Sequence, residues 1–194
     1  MSFISVLANE NILTVMTDGQ VTDIEGKSCN DNFPKFKLIN DHQLFAESGD
    51  YSNAEYLLNE INFQNKKFSL EKVHNTIKEI LLLTYNRKGT TNSVIIGGID
   101  IDDQMKVYKI SVVDGEIKSE GPLIPKGDGF VIAFLTSSKI KISDDDVENL
   151  FKKLLMEFHF DSNKYLDIQK IVNDIVAEND STVNINVFPE KITR

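Results

Sequence analysis

The chain has 194 residues, which is enough for one domain with a full apolar core. Its formal net charge of -9 argues against a nucleic-acid partner, because phosphate binding needs a concentrated basic surface. No stretch approaches the roughly 20 apolar residues of a membrane span, and no basic segment followed by an apolar one opens the chain. We therefore expect a single domain over residues 1–194, located in the cytoplasm, with neither a nucleic-acid nor a membrane partner.

Residues that bind metals or form disulfides are sparse. Cys29 is the single cysteine, which rules out an internal disulfide and suits a reducing compartment. The three histidines, His42, His74 and His159, lack the spacing of metal ligands. We expect no metal site and no cofactor.

The chain opens with two short apolar strands, residues 3–7 and 12–16, joined by a turn and ending at Asp18-Gly19. This pattern predicts an N-terminus held in a sheet. If Met1 is removed, Ser2 presents a hydroxyl and a free α-amine with a pKa of about 8, and that amine can act as a base for the hydroxyl. The ordinary interpretation is that Met-Ser is a common start and most such serines catalyse nothing.

Further elements follow in chain order. Short strands are predicted over residues 33–38 and 43–46, and Ser48-Gly49-Asp50 ends the second one. Apolar residues at helical spacing predict a helix over 51–61 and another from Ser69 to about Gly89. Three strands then come at 93–97, 106–112 and 116–118, the last two joined by an Asp114-Gly115 turn.

The last third is mostly helical. Residues 130–135 are compatible with either a buried strand or the start of a helix. One helix is predicted to begin after Ser143, where acidic residues favour a helix start, and another to span 163–178. A closing strand is predicted over 182–188, with Val183, Ile185 and Val187 on one face.

The order of elements excludes alternating βαβ units and therefore a doubly wound parallel sheet. The economical arrangement is an α+β fold, a four-layer αββα sandwich. Two mainly antiparallel sheets lie face to face in it, with a helix pair on each outer side. Coverage of both sheet faces explains apolar strands such as Val94-Ile95-Ile96.

Four segments, in order along essentially the whole chain, resemble the proteasome-like N-terminal nucleophile (Ntn) hydrolases. This family includes proteasome core subunits and a bacterial peptidase that pairs with an unfoldase ring. The first segment runs from Ile4 to Gln20, and the second from Lys35 to Asp50. The third contains Gly97-Gly98-Ile99-Asp100, and the fourth is Gly127-Asp128-Gly129, where the family has Gly-Ser-Gly.

The resemblance implies a peptide or amide hydrolase without a cofactor. Ser2 would be the nucleophile and its own amine the general base. Lys35 would be the cation that tunes both groups, and Asp18 would hold Lys35 through an ion pair. The backbone N–H of Gly49 would donate to the oxyanion. The resemblance also implies a homo-oligomer, possibly ring-like, and a possible unfoldase or peptide partner.

Several alternatives stay open in the sequence. Alignment backward from Asp18 places Ser2 at the nucleophile, whereas alignment from Ile4 places Met1 there. Lys37 lies two residues beyond Lys35 on the same predicted strand face. Asp128 is expected to bring an additional negative charge near the site. Asp180-Ser181 only loosely matches a later aspartate and serine of the family.

Each candidate residue also has an ordinary interpretation. Asp18 and Gly49 are compatible with simple turns, and Lys35 with a solvated strand charge. The second hypothesis is therefore a catalytically inactive relative that uses the same sandwich as an oligomeric assembly or binding module.

Overall fold

The computed structural model describes residues 2–23, 25, 27–49, 67–84, 91–136 and 141–194. Met1, the helix predicted over 51–61 and the predicted helix end at Gly89 lie outside the described residues. No helix in the described part of the chain is long and apolar enough to span a membrane.

Two antiparallel sheets form the centre of the fold. The first, here called sheet I, has the strand order β10-β1-β2-β11. The second, sheet II, has the order β5-β6-β7-β8-β9. The strands of sheet I are β1 (Ile4–Ala8), β2 (Ile12–Asp18), β10 (Val131–Leu135) and β11 (Val187–Thr193). Those of sheet II are β5 (Phe36–Asn40), β6 (Gln43–Ser48), β7 (Thr91–Ile99), β8 (Met105–Val113) and β9 (Glu116–Leu123). A short ribbon of β3 (Val21–Thr22) and β4 (Ser28–Asn30) stands apart from both.

The helices cover the outer faces of the two sheets. Helix α1 (Leu70–Thr84) packs on sheet II, while α2 (Asp144–Glu157) and α3 (Tyr165–Asn179) pack on sheet I. Helix α2 begins with a complete capping box, because Ser143 Oγ accepts from the N–H of Asp146 and the Asp146 carboxylate accepts from the N–H of Ser143. The predicted αββα sandwich is confirmed.

Strand alternation explains where the core sits. Ile4, Val6 and Ala8 of β1 face Leu44 and Ala46 of β6 in the apolar layer between the sheets. The opposite faces carry separate apolar layers against the helices. The ambiguous segment 130–135 is resolved as strand β10, whose Ala133 joins the layer between the sheets.

The two glycines of the Gly97-Gly98 motif have a packing reason. A Cβ on Gly97 would lie 2.8 Å from the Leu13 side chain of the facing sheet. At Gly98, where φ is +138°, a Cβ would lie 2.1 Å from the His42 carbonyl oxygen. Side chains at these positions would push the sheets or the β5–β6 turn apart.

The closing strand was predicted in the wrong place. The strand is Val187–Thr193, and residues 182–186 form a loop. Asn184 and Asn186 both donate their side-chain amides to the carbonyl of Asp31, and Ile185 between them is 65% exposed. The alternating pattern therefore reflects two asparagines that hold a neighbouring loop, not a buried strand face.

The expectation for Asp128 was also wrong. The backbone N–H of Gly127 donates to Glu10 Oε1 over 2.8 Å, beside the turn between β1 and β2. This turn is at the opposite end of β1 from Ser2. The segment that follows β10 is the one at the Ser2 end, since Leu135 pairs with Ile4. Asp128 therefore adds no charge to the candidate site.

Candidate functional site

Asp18 and Lys35 meet at one end of the sandwich. Strand β1 begins there and β2 ends there, because Ile4 pairs with Thr17. The backbone of Lys35 joins this end to sheet II, since its N–H donates to Thr17 Oγ1 and its carbonyl accepts from the N–H of Glu47. We call this region the site end of the sandwich, and the opposite one the far end.

The Asp18 carboxylate organises the site end. Its Oδ1 accepts the backbone N–H of Phe3 over 2.7 Å, and its Oδ2 accepts the N–H of Gln20 over 2.9 Å. The carbonyl of Phe3 accepts in turn from the N–H of Asp18 over 3.1 Å. One carboxylate thus closes the end of the first hairpin and fixes the residue that follows Ser2.

Lys35 pairs with the same carboxylate. Its Nζ lies 2.7 Å from Asp18 Oδ2, and the two side chains are only 7% and 0% exposed. Lys37 is exposed and pairs across the sheet with Phe45, so the structure brings Lys35 to Asp18 and leaves Lys37 outside. The ordinary interpretation of Lys35 as a solvated strand charge does not fit this burial.

Burial sets the electrostatics of this ion pair. Loss of solvation raises the pKa of the Asp18 carboxyl and lowers the pKa of the Lys35 ammonium, while the ion pair and its hydrogen bonds offset part of both changes. The ammonium is therefore easier to deprotonate than that of a solvated lysine. A lysine of this kind can change the proton affinity of neighbouring groups.

Ser2 lies beside this pair in a closed environment. It is 5% exposed and is bonded directly to Phe3, whose N–H is held by Asp18. Alternation along β1 places Ser2 on the same side as Ile4 and Val6, facing sheet II. The Ser2 hydroxyl has no hydrogen-bond partner among the described residues.

Gly49 follows β6 at the same end. Glu47, two residues earlier, is opposite Lys35, which places Gly49 at the edge of the site end. A Cβ on Gly49 would lie 3.0 Å from the side-chain amide of Asn92 and from the Thr91 carbonyl. Close packing against β7 is therefore one reason for glycine here.

A buried polar pair lies next to Gly49. Asn92, which is fully buried, donates its side-chain amide to Glu47 Oε1 in a short hydrogen bond. By strand alternation Glu47 faces the helix side of sheet II, away from Ser2.

The loop after α3 closes the site end on the other side. Gln20 Nε2 donates to the Ser181 carbonyl, and the N–H of Gly19 donates to the Asn186 carbonyl. Asp180 is 3% exposed and accepts both the N–H and the hydroxyl of Thr182. This loop therefore packs against the residues that immediately follow Asp18.

No family model matches the sequence, and neither does any curated protein. Among solved structures, the crystal structure of eukaryotic HslV from Trypanosoma brucei matches 99% of this chain and 99% of its own, with a TM-score of 0.59 and 17% sequence identity. The chain has the Ntn-hydrolase sandwich fold. At this identity the likeness establishes the fold alone.

The described residues contain no group of three or more histidine, cysteine, aspartate or glutamate side chains that could hold a metal ion. Cys29 is exposed on the β3–β4 ribbon.

Two features of the site end escaped the sequence analysis. One is the loop over residues 180–186, which the pattern assigned to a strand. The other is the polar end of β6, where Glu47 and Ser48 are 7% and 8% exposed. The available signal was two polar residues that continue an otherwise apolar strand.

Proposed function

We propose that the chain is a proteasome-like peptide or amide hydrolase that uses Ser2 as its nucleophile after removal of Met1. The observation that carries the proposal is the buried Asp18 carboxylate. It binds the backbone beside Ser2 with one oxygen and the Lys35 ammonium with the other. A buried ion pair is costly unless its geometry is well satisfied, which favours a functional reason for placing one beside Ser2.

The chemistry follows from the groups present. Ser2 Oγ attacks the substrate carbonyl carbon, its proton moves to the neutral α-amine of Ser2, and the carbonyl π electrons move onto oxygen. The Gly49 N–H donates to that oxygen. As the C–N bond breaks, the α-ammonium returns the proton to the leaving amine. Water then repeats the sequence on the acyl ester.

The positive charge of Lys35 has a defined part in this scheme. Placed beside the Ser2 amine and hydroxyl, it favours the neutral amine and the developing serine oxyanion. Asp18 keeps the lysine in place and limits the net charge of the buried site. No cofactor or metal takes part in the scheme.

The assembly and location belong to the same proposal. The chain would act as a single domain over residues 1–194 in the cytoplasm, in a homo-oligomer, possibly a ring, that encloses the site. A peptide substrate, delivered freely or by an unfoldase, is the expected partner. Light scattering on the purified chain measures the oligomer directly, and a monomer at micromolar concentration would contradict this part of the proposal.

The deciding experiment starts with the intact mass of the untagged protein from its native host. The proposal expects a mass without Met1. A second sample, made from a fusion whose cleavage leaves Ser2 as the first residue, is then treated with a peptide β-lactone. The expected result is one acyl group on Ser2, located by peptide mapping, and no acyl group on Ser2→Ala.

The competing outcome has its own meaning. Retention of Met1 in the native protein, together with no labelling when Ser2 is the first residue, would support the inactive relative that serves as an assembly or binding module. Labelling on any residue other than Ser2 would contradict the role of Ser2 while keeping the protein an enzyme candidate.

A further inference from the structure

Ser48 is a buried hydroxyl residue at the site end that the scheme above does not use. It ends β6 directly before Gly49 and is 8% exposed. Its hydroxyl has no hydrogen-bond partner in the described part of the chain. The fully enclosed side-chain atoms that lack a partner among the described residues do not include this hydroxyl, so water or a ligand can reach it.

The packing of the two sheets brings Ser48 and Ser2 to the same end of the layer between them. Strands β1 and β6 pack against each other, and Ile4 and Ala46 both belong to the apolar layer between the sheets. Two residues further toward the site end, the same alternation brings Ser2 on one strand and Ser48 on the other to this layer. On the inner face of each strand, they are the first residues with a hydroxyl group after the apolar side chains, counting toward the site end.

Two serine side chains that face each other across a pair of packed sheets do not touch. Facing sheets pack about 10 Å apart, and the short serine side chains cannot fill that separation. The inference requires the acyl group of the substrate to lie between them. A carbonyl held there would have the Ser2 hydroxyl on one side and the Ser48 hydroxyl on the other.

We propose that Ser48 is a second oxyanion donor, acting with the Gly49 N–H on the acyl group attacked by Ser2. This inference rests on the proposed function. When Ser2 Oγ bonds to the carbonyl carbon and the π electrons move onto oxygen, the Ser48 O–H donates a hydrogen bond to that oxygen. No proton or electron pair is transferred to or from Ser48.

The neighbouring serine offers a matched control. Ser93 lies directly across the sheet from Ser48, on the same face, but its hydroxyl donates to Ser111 Oγ over 2.9 Å. It has the same chemistry and the same strand environment, with a partner already in place. Replacement of Ser93 should therefore leave the rate of Ser2 acylation unchanged.

The test compares two probes on the chain that begins at Ser2. A peptide β-lactone acylates the nucleophile through a carbonyl oxyanion, with the ring C–O bond breaking as the alkoxide takes the proton from the ammonium. A peptide vinyl sulfone instead adds the nucleophile to an alkene carbon and forms no acyl oxyanion. The measured quantity is the second-order rate constant of labelling with each probe.

Ser48→Ala is expected to slow lactone acylation about 100-fold, as for loss of one oxyanion donor, while vinyl sulfone labelling changes by no more than about threefold. Ser48→Thr restores the hydroxyl and is expected to recover most of the lactone rate. Ser93→Ala should change neither rate. Thermal unfolding of each variant checks that the fold is intact.

Equal slowing of both probes, or no slowing of either, would overturn the donor role of Ser48 while leaving the Ser2 chemistry in place. Failure of the unmodified protein to react with either probe would overturn the proposed function and this inference with it. A label found on Ser48 itself would show that it is the nucleophile and not a donor.

Discussion

Two buried aspartate–lysine ion pairs lie at opposite ends of the sandwich. Asp18 and Lys35 meet at the site end, and Asp100 and Lys106 at the far end, each with a separation of 2.7 Å. The four side chains are all mostly buried, with exposures between 0% and 13%. The pairs are chemically alike, so their surroundings must account for any difference in role.

Both members of the far-end pair make further contacts that connect neighbouring elements. Asp100 Oδ1 accepts the N–H groups of Leu70 and Ile101, which fixes the start of α1 to the β7–β8 turn. Lys106 binds the carboxylates of both Asp100 and Asp102. Although burial opposes it, these hydrogen bonds raise the pKa of Lys106 above that of a solvated lysine.

The site-end pair is built differently. Lys35 has one carboxylate partner among the described residues, and burial lowers the pKa of its ammonium. Two serines at the same end, Ser2 and Ser48, have no hydrogen-bond partners in that part of the chain. In the proposed scheme the lysine with two carboxylates is a structural clamp, whereas the lysine with one is the cation that acts on Ser2.

The largest expected effect comes from removing each lysine. We expect Lys35→Met to reduce lactone labelling of Ser2 by more than about 100-fold, because the charge beside the nucleophile is lost. It should also lower the free energy of unfolding by about 3–5 kcal/mol, since Asp18 keeps a buried charge. Denaturant titration and labelling rates measure the two effects separately.

Lys106→Met is the matched control for that variant. It should destabilise the protein through the far-end carboxylates and leave the labelling rate of the folded protein within about twofold, because distant sites act independently. If the two variants lost labelling equally, the distinction drawn between the pairs would be wrong.

The second effect is on the pH dependence of labelling. The scheme needs Lys35 charged, and the folded pKa of Lys35 lies below the ordinary value of 10.5. Labelling should therefore fall as the pH rises through that lowered pKa, at a pH below 10.5. Lys35→Arg should remove this alkaline decline, because arginine stays protonated, and should keep the acid limb set by the α-amine.

The measurement is the labelling rate constant between pH 6 and pH 11, corrected for hydrolysis of the probe. An alkaline decline that persists unchanged in Lys35→Arg would assign it to another group. Lys106→Arg serves as the control and should leave the profile unchanged.

The third effect tests the clamp. Asp100→Ala removes the acceptor of the first N–H of α1 and one of the two partners of Lys106. We expect the free energy of unfolding to fall by about 2–3 kcal/mol, with no change in labelling of the folded protein. Urea titration measures the loss. A labelling rate that falls with stability intact would mean that the far end is coupled to the site.

Elements whose signals lie within a few neighbouring residues could be predicted from the sequence. The first hairpin, the turn at Asp114-Gly115 and the helix after Ser143 each carry their own period, turn residues or cap, and all three are present. Asp114 and Gly115 both adopt positive φ, as a two-residue hairpin turn requires. Asp18 and Lys35 were named through family resemblance, and the structure brings them together.

Long-range contacts could not be predicted in the same way. The choice between Lys35 and Lys37 depends on where β2 ends in space, not on strand period. Residues 182–186 have a strand pattern, yet their asparagines bind a carbonyl on a loop more than 150 residues away in sequence. Ser48 was predicted only as part of the Ser48-Gly49-Asp50 turn, and its place relative to β1 depends on the packing of one sheet on the other.

The smallest expected effect compares two serines that both lie toward the site end. Ser143 begins α2, and the first residue of that helix, Asp144, accepts from Thr136 directly after β10. Unlike the Ser48 hydroxyl, the Ser143 hydroxyl is fully engaged in the capping box with Asp146. Ser143→Ala should lower the free energy of unfolding by about 1 kcal/mol.

The same capping box predicts a pH dependence of stability. Hydrogen bonds from Ser143 hold the pKa of the Asp146 carboxyl below its usual value of 3.8. A carboxyl with a lowered folded pKa contributes stability above its unfolded pKa and loses it as the pH falls through the folded one. The stability gap between the unmodified protein and Ser143→Ala should therefore shrink below about pH 4, as urea titration at several pH values can measure. Labelling of Ser2 should not change in Ser143→Ala, because the Ser143 hydroxyl has a structural partner, unlike that of Ser48. A large loss of labelling in this variant would show that hydrogen-bond pairing does not distinguish structural hydroxyls from chemical ones at the site end.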